Sequence, residues 1–187
     1  MSQRDKLLKM IEELVSIPSV TESKNESLPG IWIKERLEKL PYFIERKDHL
    51  KWVKTQLEGS CETLHSLVAR VDASSPTKRT ILLMSHYDVV DVSVYNEMAR
   101  CAFDVKKITE LLNSDNEDVI YGRGTMDMKC GVALELDIIE EFASDRELFD
   151  VNIVAVFVGD EENASAGMRG VLPVLYKMKE EGTDFLT

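Results

Sequence analysis

The sequence lacks the features that mark a membrane or secreted protein. No stretch of its 187 residues approaches the ~18 uninterrupted apolar residues that a membrane span needs. The N-terminus mixes charged residues with spaced apolar ones, and it has no unbroken apolar run of the kind found in a secretory signal. We therefore expect a cytoplasmic protein with no membrane partner.

Cysteine and clustered positive charge are also scarce. The three cysteines, Cys61, Cys101 and Cys130, are spaced neither like a disulfide framework nor like a thiolate zinc site, which indicates reduced thiols. The formal net charge is −11, and no group of lysines and arginines stands out. Because a nucleic-acid backbone repels such a surface, we expect no nucleic-acid partner.

The apolar pattern predicts a globular domain with alternating helices and strands. Two runs, TILLMS over 80–85 and VNIVAVFV over 151–158, are typical of strands covered on both faces. Further strands are predicted at 66–71 and from Phe185, and helices at 4–16, 26–40, 131–142 and 168–181. Residues 42–62 allow short strands or a hairpin, and 92–118 read as irregular with a short helix at 106–112. The alternation favours an α/β fold with a mainly parallel sheet and helices on both faces.

Both apolar runs end in residues that can bind metal or move protons. His86 and Asp88 follow the first run, and Asp160, Glu161 and Glu162 follow the second. Active sites in parallel sheets gather beyond the carboxyl ends of the strands. A neutral imidazole is a common metal ligand, and of two neighbouring carboxylates one can bind metal while the other accepts a proton. The alternatives to a metal site are purely structural: a histidine that only forms hydrogen bonds, and an acidic loop that is only solvated.

A third segment, YGRGTMDMKCG, places Asp127 among glycines at the entrance to a helix. It lacks the GxxxxGK[ST] and GxGxxG patterns of phosphate-binding loops, so an acidic side chain here is better matched to a cation. One rim of the sheet could therefore gather His86, Asp127 and Glu162. Imidazole with carboxylates suits zinc, cobalt or manganese.

In this order, the three segments resemble the co-catalytic zinc metallopeptidases of the aminoacylase, carboxypeptidase and acetylornithine deacetylase type. YGRGTMDMKCG resembles the GRG-[ST]-x-D-x-K-G segment of that family, SHYDVVD its G-H-x-D-x-V-P segment, and GDEENAS its D-E-E-x-x-[GS] segment. The segment TMDMKCG is most similar to the corresponding segment in the branch of the arginine-utilisation protein RocB. Ser85 and Asp91 replace the glycine and proline that flank the histidine segment in the family.

The resemblance implies a role for each residue of the site. His86 would bind one metal and Asp88 would orient it, while Asp127 would bridge two metals and precede a cis peptide bond to Met128. Glu162 would bind the second metal, and Glu161 would be the general base. The cofactors would be two divalent ions, with zinc expected first and cobalt or manganese as alternatives. The substrate would be a small N-acyl amino acid or peptide, hydrolysed at its amide bond.

The same resemblance implies that residues 1–187 form the N-terminal part of a catalytic domain. The family completes its metal site with a carboxylate and a histidine that would lie beyond Thr187. The lid or dimerisation domain and the C-terminal part of the catalytic domain would be absent, and a full-length form could be a homodimer. Such a partial site should bind metal weakly.

Two other functions remain open from the sequence. The chain could be an inactive remnant or a subunit that works by association through a sheet edge left exposed after residue 158. A two-metal phosphoesterase would use similar ligands. Its phosphate clamp would have to come from Arg123, Lys129 and Arg169, so we rank it last.

Overall fold

A computed structural model of the protein describes residues 2–57, 63–112, 119–147 and 149–186. The α-helices of the described residues are α1 (Gln3–Val15), α2 (Leu28–Leu37), α3 (Pro41–Glu45), α4 (Val105–Leu111), α5 (Cys130–Ser144) and α6 (Ala166–Glu180). The strands are β1 (Leu50–Gln56), β2 (Thr63–Val71), β3 (Arg79–His86), β4 (Asn152–Val158) and β5 (Asp184–Leu186). No helix among the described residues is long and apolar enough to cross a membrane.

The strands form one sheet in the order β1-β2-β4-β3-β5. β3 pairs in parallel with both β4 and β5, whereas β2 pairs antiparallel with β1 and β4. Of the five described strands, only β2 therefore runs against the common direction. The prediction of an α/β fold with a mainly parallel sheet is confirmed, and the antiparallel strand β2 makes the sheet mixed.

Helices cover both faces of the sheet, as predicted. The larger core packs α1, α2, α3 and α5 against one face and includes Leu14, Leu37, Leu136, Ile153 and Phe157. On the other face, α6 packs Val171, Leu175 and Met178 against Val68, Val154 and Val156. Every residue of β4 is buried, which explains why VNIVAVFV is apolar at nearly every position rather than at alternate ones.

Most predicted elements have the expected type and shifted ends. The ambiguous region 42–62 contains part of α3 and then β1, which forms an antiparallel pair with β2. Glu26 was expected at the start of a helix, but α2 begins at Leu28 and Glu26 lies buried in the turn before it. Ser2 caps α1: its hydroxyl accepts a hydrogen bond from the Asp5 amide, and the Asp5 carboxylate accepts one from the Ser2 amide.

Candidate metal centre

The parallel pairing of β3 with β4 brings two of the predicted segments together. His86 is the last residue of β3, and its register partner is Val158, the last residue of β4. The turn that carries Glu161 and Glu162 starts two residues later. The two strand ends therefore present the imidazole and the acidic turn at the same edge of the sheet, as the topology rule predicts.

Asp127 reaches this edge from the segment before α5. The Nε2 atom of His86 lies 3.1 Å from Asp127 Oδ1 and 3.7 Å from Glu161 Oε2. His86, Asp127 and Glu162 each offer one ligand atom, and these three atoms all lie within 4.8 Å of one another. The structure thus brings together the three side chains that the sequence singled out as metal ligands.

The segment that carries Asp127 is held by a tight turn and a buried lysine. Gly124 has a φ of 78°, a left-handed conformation that glycine adopts at little cost, and a Cβ there would collide with Val89. The Asp127–Met128 peptide bond is cis, which confirms that expectation. Lys129 is fully buried, and its Nζ donates a hydrogen bond of 2.6 Å to the Ile17 carbonyl oxygen. Burial lowers the pKa of Lys129 to about 7, although the Asp88 carboxylate acts in the opposite direction.

Asp88 lies behind His86 and contacts more groups than the sequence suggested. It is fully buried, and its Oδ1 lies 3.4 Å from His86 Nδ1. The same carboxylate accepts hydrogen bonds of 3.2 Å from the amide of Glu161 and 3.2 Å from the amide of Glu162. One carboxylate thereby touches both the imidazole and the backbone of the acidic turn.

The pKa values at the site reflect this pairing. Burial raises the pKa of Asp88, but the hydrogen bonds from His86 and from the two amides outweigh it and hold that pKa below its usual value. Burial lowers the pKa of His86, yet Asp88 and Asp127 more than offset it and raise the value to about 9. Burial and the nearby Asp127 carboxylate raise the pKa of Glu162. The centre therefore concentrates negative charge around one imidazole.

Two residues of the segment after α1 complete the surroundings, and neither was singled out from the sequence. The Thr21 hydroxyl donates a hydrogen bond of 2.9 Å to Asp88 Oδ2. Glu26 is 2% exposed, and its Oε1 accepts a hydrogen bond of 2.6 Å from the Asp160 amide. Burial raises the pKa of Glu26 to about 7. These contacts link residues far apart in the chain, and a polar segment such as TESKNES gives no periodic signal for them.

The side chains at this centre suit a divalent cation. One imidazole nitrogen and two carboxylates are the donors that zinc, cobalt and manganese accept. Asp127, Glu161 and Glu162 repel one another unless positive charge compensates them, and a cation among the three ligand atoms would do so. His86 is already oriented through its other ring nitrogen, as in metal-binding histidines generally.

Comparison with known proteins gives the family. Residues 82–186 match the model of Peptidase family M20/M25/M40. YqjN of Bacillus subtilis strain 168, an uncharacterized protein, is 31% identical over 200 residues, covering 98% of this chain and 35% of that protein. Protein RocB of the same organism is 24% identical over 207 residues, covering 100% of this chain and 36% of its own length.

A solved structure has the same fold. Human carnosine dipeptidase 1 superimposes with a TM-score of 0.67 at 18% sequence identity, over 97% of this chain and 37% of that one. The chain thus spans about a third of the length of each of these three proteins. The family match covers more than half of the chain and contains His86, Asp127 and Glu162. The chain belongs to Peptidase family M20/M25/M40.

Proposed function

We propose that this chain is the N-terminal part of the catalytic domain of a metal-dependent hydrolase that cleaves amide or peptide bonds. The observation that carries the proposal is the meeting of His86, Asp127 and Glu162, whose ligand atoms lie within 4.8 Å of one another. These residues would be metal ligands, with Asp127 shared between two ions, and zinc is our first choice of metal. Membership of a peptidase family supports the reaction type.

Bound divalent ions would polarise an amide carbonyl and make a water molecule more acidic. Glu161 would handle the proton, and the position of its half-exposed carboxylate, 3.7 Å from His86 Nε2, supports this role. It would accept a proton from water as the water oxygen bonds to the carbonyl carbon. It would then return that proton to the amide nitrogen as the carbon–nitrogen bond breaks. Asp88 would keep the His86 ring oriented through Nδ1.

The substrate we propose is a small N-acyl amino acid or peptide. The wording TMDMKCG and the similarity to RocB support a role in amino-acid or arginine utilisation. We also propose a cytoplasmic location and a homodimeric full-length form.

Titration with Co²⁺ and with Zn²⁺ tests the metal centre. We expect weak but saturable binding by the chain, and at least ~10-fold weaker binding after His86→Ala, Asp127→Ala or Glu162→Ala. Glu12→Ala removes an exposed carboxylate from α1 and is the control, since it should bind like the wild type. Equal binding by the control and all three ligand variants would remove the proposed centre.

The catalytic role of Glu161 needs a chain extended to the length of its relatives. There, Glu161→Gln should abolish hydrolysis of N-acyl amino acids and dipeptides while metal content stays at the wild-type level. Full activity of that variant would show that another group moves the proton.

One observation favours association as a second candidate function. The end of β4 at residue 158 is not a free edge as predicted, because β4 pairs with β2 on one side and β3 on the other. In the described part of the chain, β5 pairs only with Arg79–Ile81, so no strand lies beside the outer edge of β3 after Ile81. Met84, which lies on this part of β3, is about half exposed. An unpaired edge with apolar side chains can template pairing with another chain. Size-exclusion chromatography would show a monomer at all concentrations if the chain does not associate.

A further inference from the structure

The turn that carries Glu161 and Glu162 is fixed by buried carboxylates at three consecutive amides. The Asp160 amide donates to Glu26 Oε1 at 2.6 Å, and the next two amides donate to Asp88 Oδ1 and Oδ2 at 3.2 Å each. Burial shields these hydrogen bonds from competing water, and the two to the Asp88 carboxylate are further strengthened by its charge. The backbone of the turn is therefore defined by two side chains from outside it.

Both anchors depend on the segment that follows α1. Thr21 donates its hydroxyl proton to Asp88 Oδ2, and Thr21 also forms a backbone hydrogen bond of 3.0 Å with the Val89 carbonyl oxygen. Glu26 uses its second oxygen, Oε2, to accept a hydrogen bond of 2.7 Å from the Glu22 amide. One side chain thus ties the segment to itself and to the turn.

The fit around Glu26 is close. A Cβ atom added at Gly159 would lie 2.9 Å from Glu26 Oε1, so the end of β4 passes directly against this carboxylate. Asp160 has a φ of 60°, and its own carboxylate accepts a hydrogen bond of 2.8 Å from the Ala166 amide at the start of α6. The turn is therefore held at Glu26 on one side and at α6 on the other.

We propose that Glu26 is a positioning residue of the metal centre, which holds the turn so that Glu161 and Glu162 face His86 and Asp127. The turn needs such an anchor because the carboxylates of Asp127, Glu161 and Glu162 repel one another. Without support, this repulsion would push the turn away from Asp127. Metal sites tolerate only small displacements of their ligands, so a fixed backbone matters more here than at an ordinary surface turn. Of the two measurements described below, only the binding of metal rests on the proposed function.

Glutamate is specifically required at this position. Both of its oxygens accept hydrogen bonds from backbone amides, whereas glutamine offers one oxygen and one donor group. Glu26→Gln therefore keeps the size of the side chain and loses one acceptor. Thr21→Val removes the hydroxyl with little change in shape, whereas Thr21→Ser keeps a hydroxyl at this position.

Two measurements test the proposal on the whole chain. The first is hydrogen exchange of individual backbone amides by NMR, with no metal present. In Glu26→Gln we expect the amides of residues 160–162 to exchange at least ~10-fold faster, since the equilibrium for opening the turn shifts, while the amides of β4 keep their protection. Thr21→Val should speed exchange at Glu161 and Glu162, and Thr21→Ser and Glu12→Gln should match the wild type.

The second measurement is the dissociation constant for Co²⁺. We expect it to rise at least ~10-fold in Glu26→Gln and Thr21→Val and to stay unchanged in Thr21→Ser and Glu12→Gln. Wild-type exchange at Glu161 and Glu162 in Glu26→Gln would overturn the proposal, and so would faster exchange throughout β4, because Glu26 would then stabilise the whole fold. If the wild type binds no Co²⁺, the proposed metal centre fails, while the exchange rates still decide whether Glu26 holds the turn.

Discussion

Replacing Glu135 by glutamine should remove a large part of the pH dependence of stability. Glu135 lies on α5, is 5% exposed, and its Oε1 accepts a hydrogen bond of 3.0 Å from the Val156 amide in β4. Burial raises the pKa of this carboxyl to about 8, even though the hydrogen bond from Val156 favours the ionised form. The folded protein therefore keeps Glu135 protonated at neutral pH, whereas the unfolded chain ionises it.

The sign and size of the effect follow from these two pKa values. The folded pKa of about 8 exceeds the ordinary value of 4.5, so the folded state binds the extra proton between them. The stabilisation is complete below the lower value and is lost as the pH rises through the higher one, at about 1.4 kcal/mol per pH unit. Between pH 6 and pH 8 the free energy of unfolding should fall by about 2 kcal/mol through this group alone.

Urea unfolding of the wild type and of Glu135→Gln at pH 6, 7 and 8 measures this contribution. Other groups titrate in the same range, but they are common to both proteins and cancel in the difference. The amide oxygen of the variant can still accept the hydrogen bond from Val156, so the two proteins should have similar free energies of unfolding at pH 6. At pH 8 the free energy of unfolding of the variant should exceed that of the wild type by about 2 kcal/mol more than it does at pH 6. Glu141→Gln, at an exposed position on the same helix, is the control and should follow the wild type. Parallel pH curves for wild type and Glu135→Gln would refute the reasoning.

Three further predictions concern the fold. Leu136→Ala empties a fully buried position on α5 and should cost ~2–5 kcal/mol in urea unfolding, whereas Leu134→Ala, half exposed on the same helix, should cost less than about 1 kcal/mol. Gly124→Ala combines a φ of 78° with a collision at Val89 and should lower Tm clearly, whereas Gly131→Ala meets only the flexible Met128 side chain and should change Tm little. Ser2→Ala removes the cap of α1 and should cost about 1 kcal/mol, and Ser2→Thr should restore most of it.

The sequence predicted the buried elements well because burial leaves a pattern along the chain. TILLMS and VNIVAVFV were identified as strands covered on both faces, and β4 is indeed buried throughout. For β3 that prediction is wrong, because Ile81, Leu82 and Leu83 are half-buried and Met84 is exposed. The direction of β2 could not be predicted, since an antiparallel strand between two others differs from a parallel one in its hydrogen bonds and not in its residue types. The position of β1 stayed ambiguous because its residues are mostly half-buried, which gives a weak alternation.

The candidate site also has residues that the sequence predicted and contacts that it did not. His86, Asp127 and Glu162 could be found because each follows or precedes a recognisable element in a segment that resembles a known family. The second role of Asp88, on the amides of the acidic turn, and the contact of Glu26 with Asp160 could not be found. These contacts join positions 73 and 134 residues apart. They depend on how the sheet brings loops together, and no local pattern encodes them.

The parallel pairing of β3 with β4 also determines when such a centre can exist during folding. His86 and Glu162 become neighbours only after the whole connection between the two strands, including α5, has been closed. A chain that has formed its N-terminal helices and the β1–β2 hairpin still has its three ligand side chains scattered. Contacts of such long range form late and slowly. Acquisition of metal affinity should therefore trail the appearance of helical structure in a refolding experiment, which makes cation uptake a reporter of complete assembly.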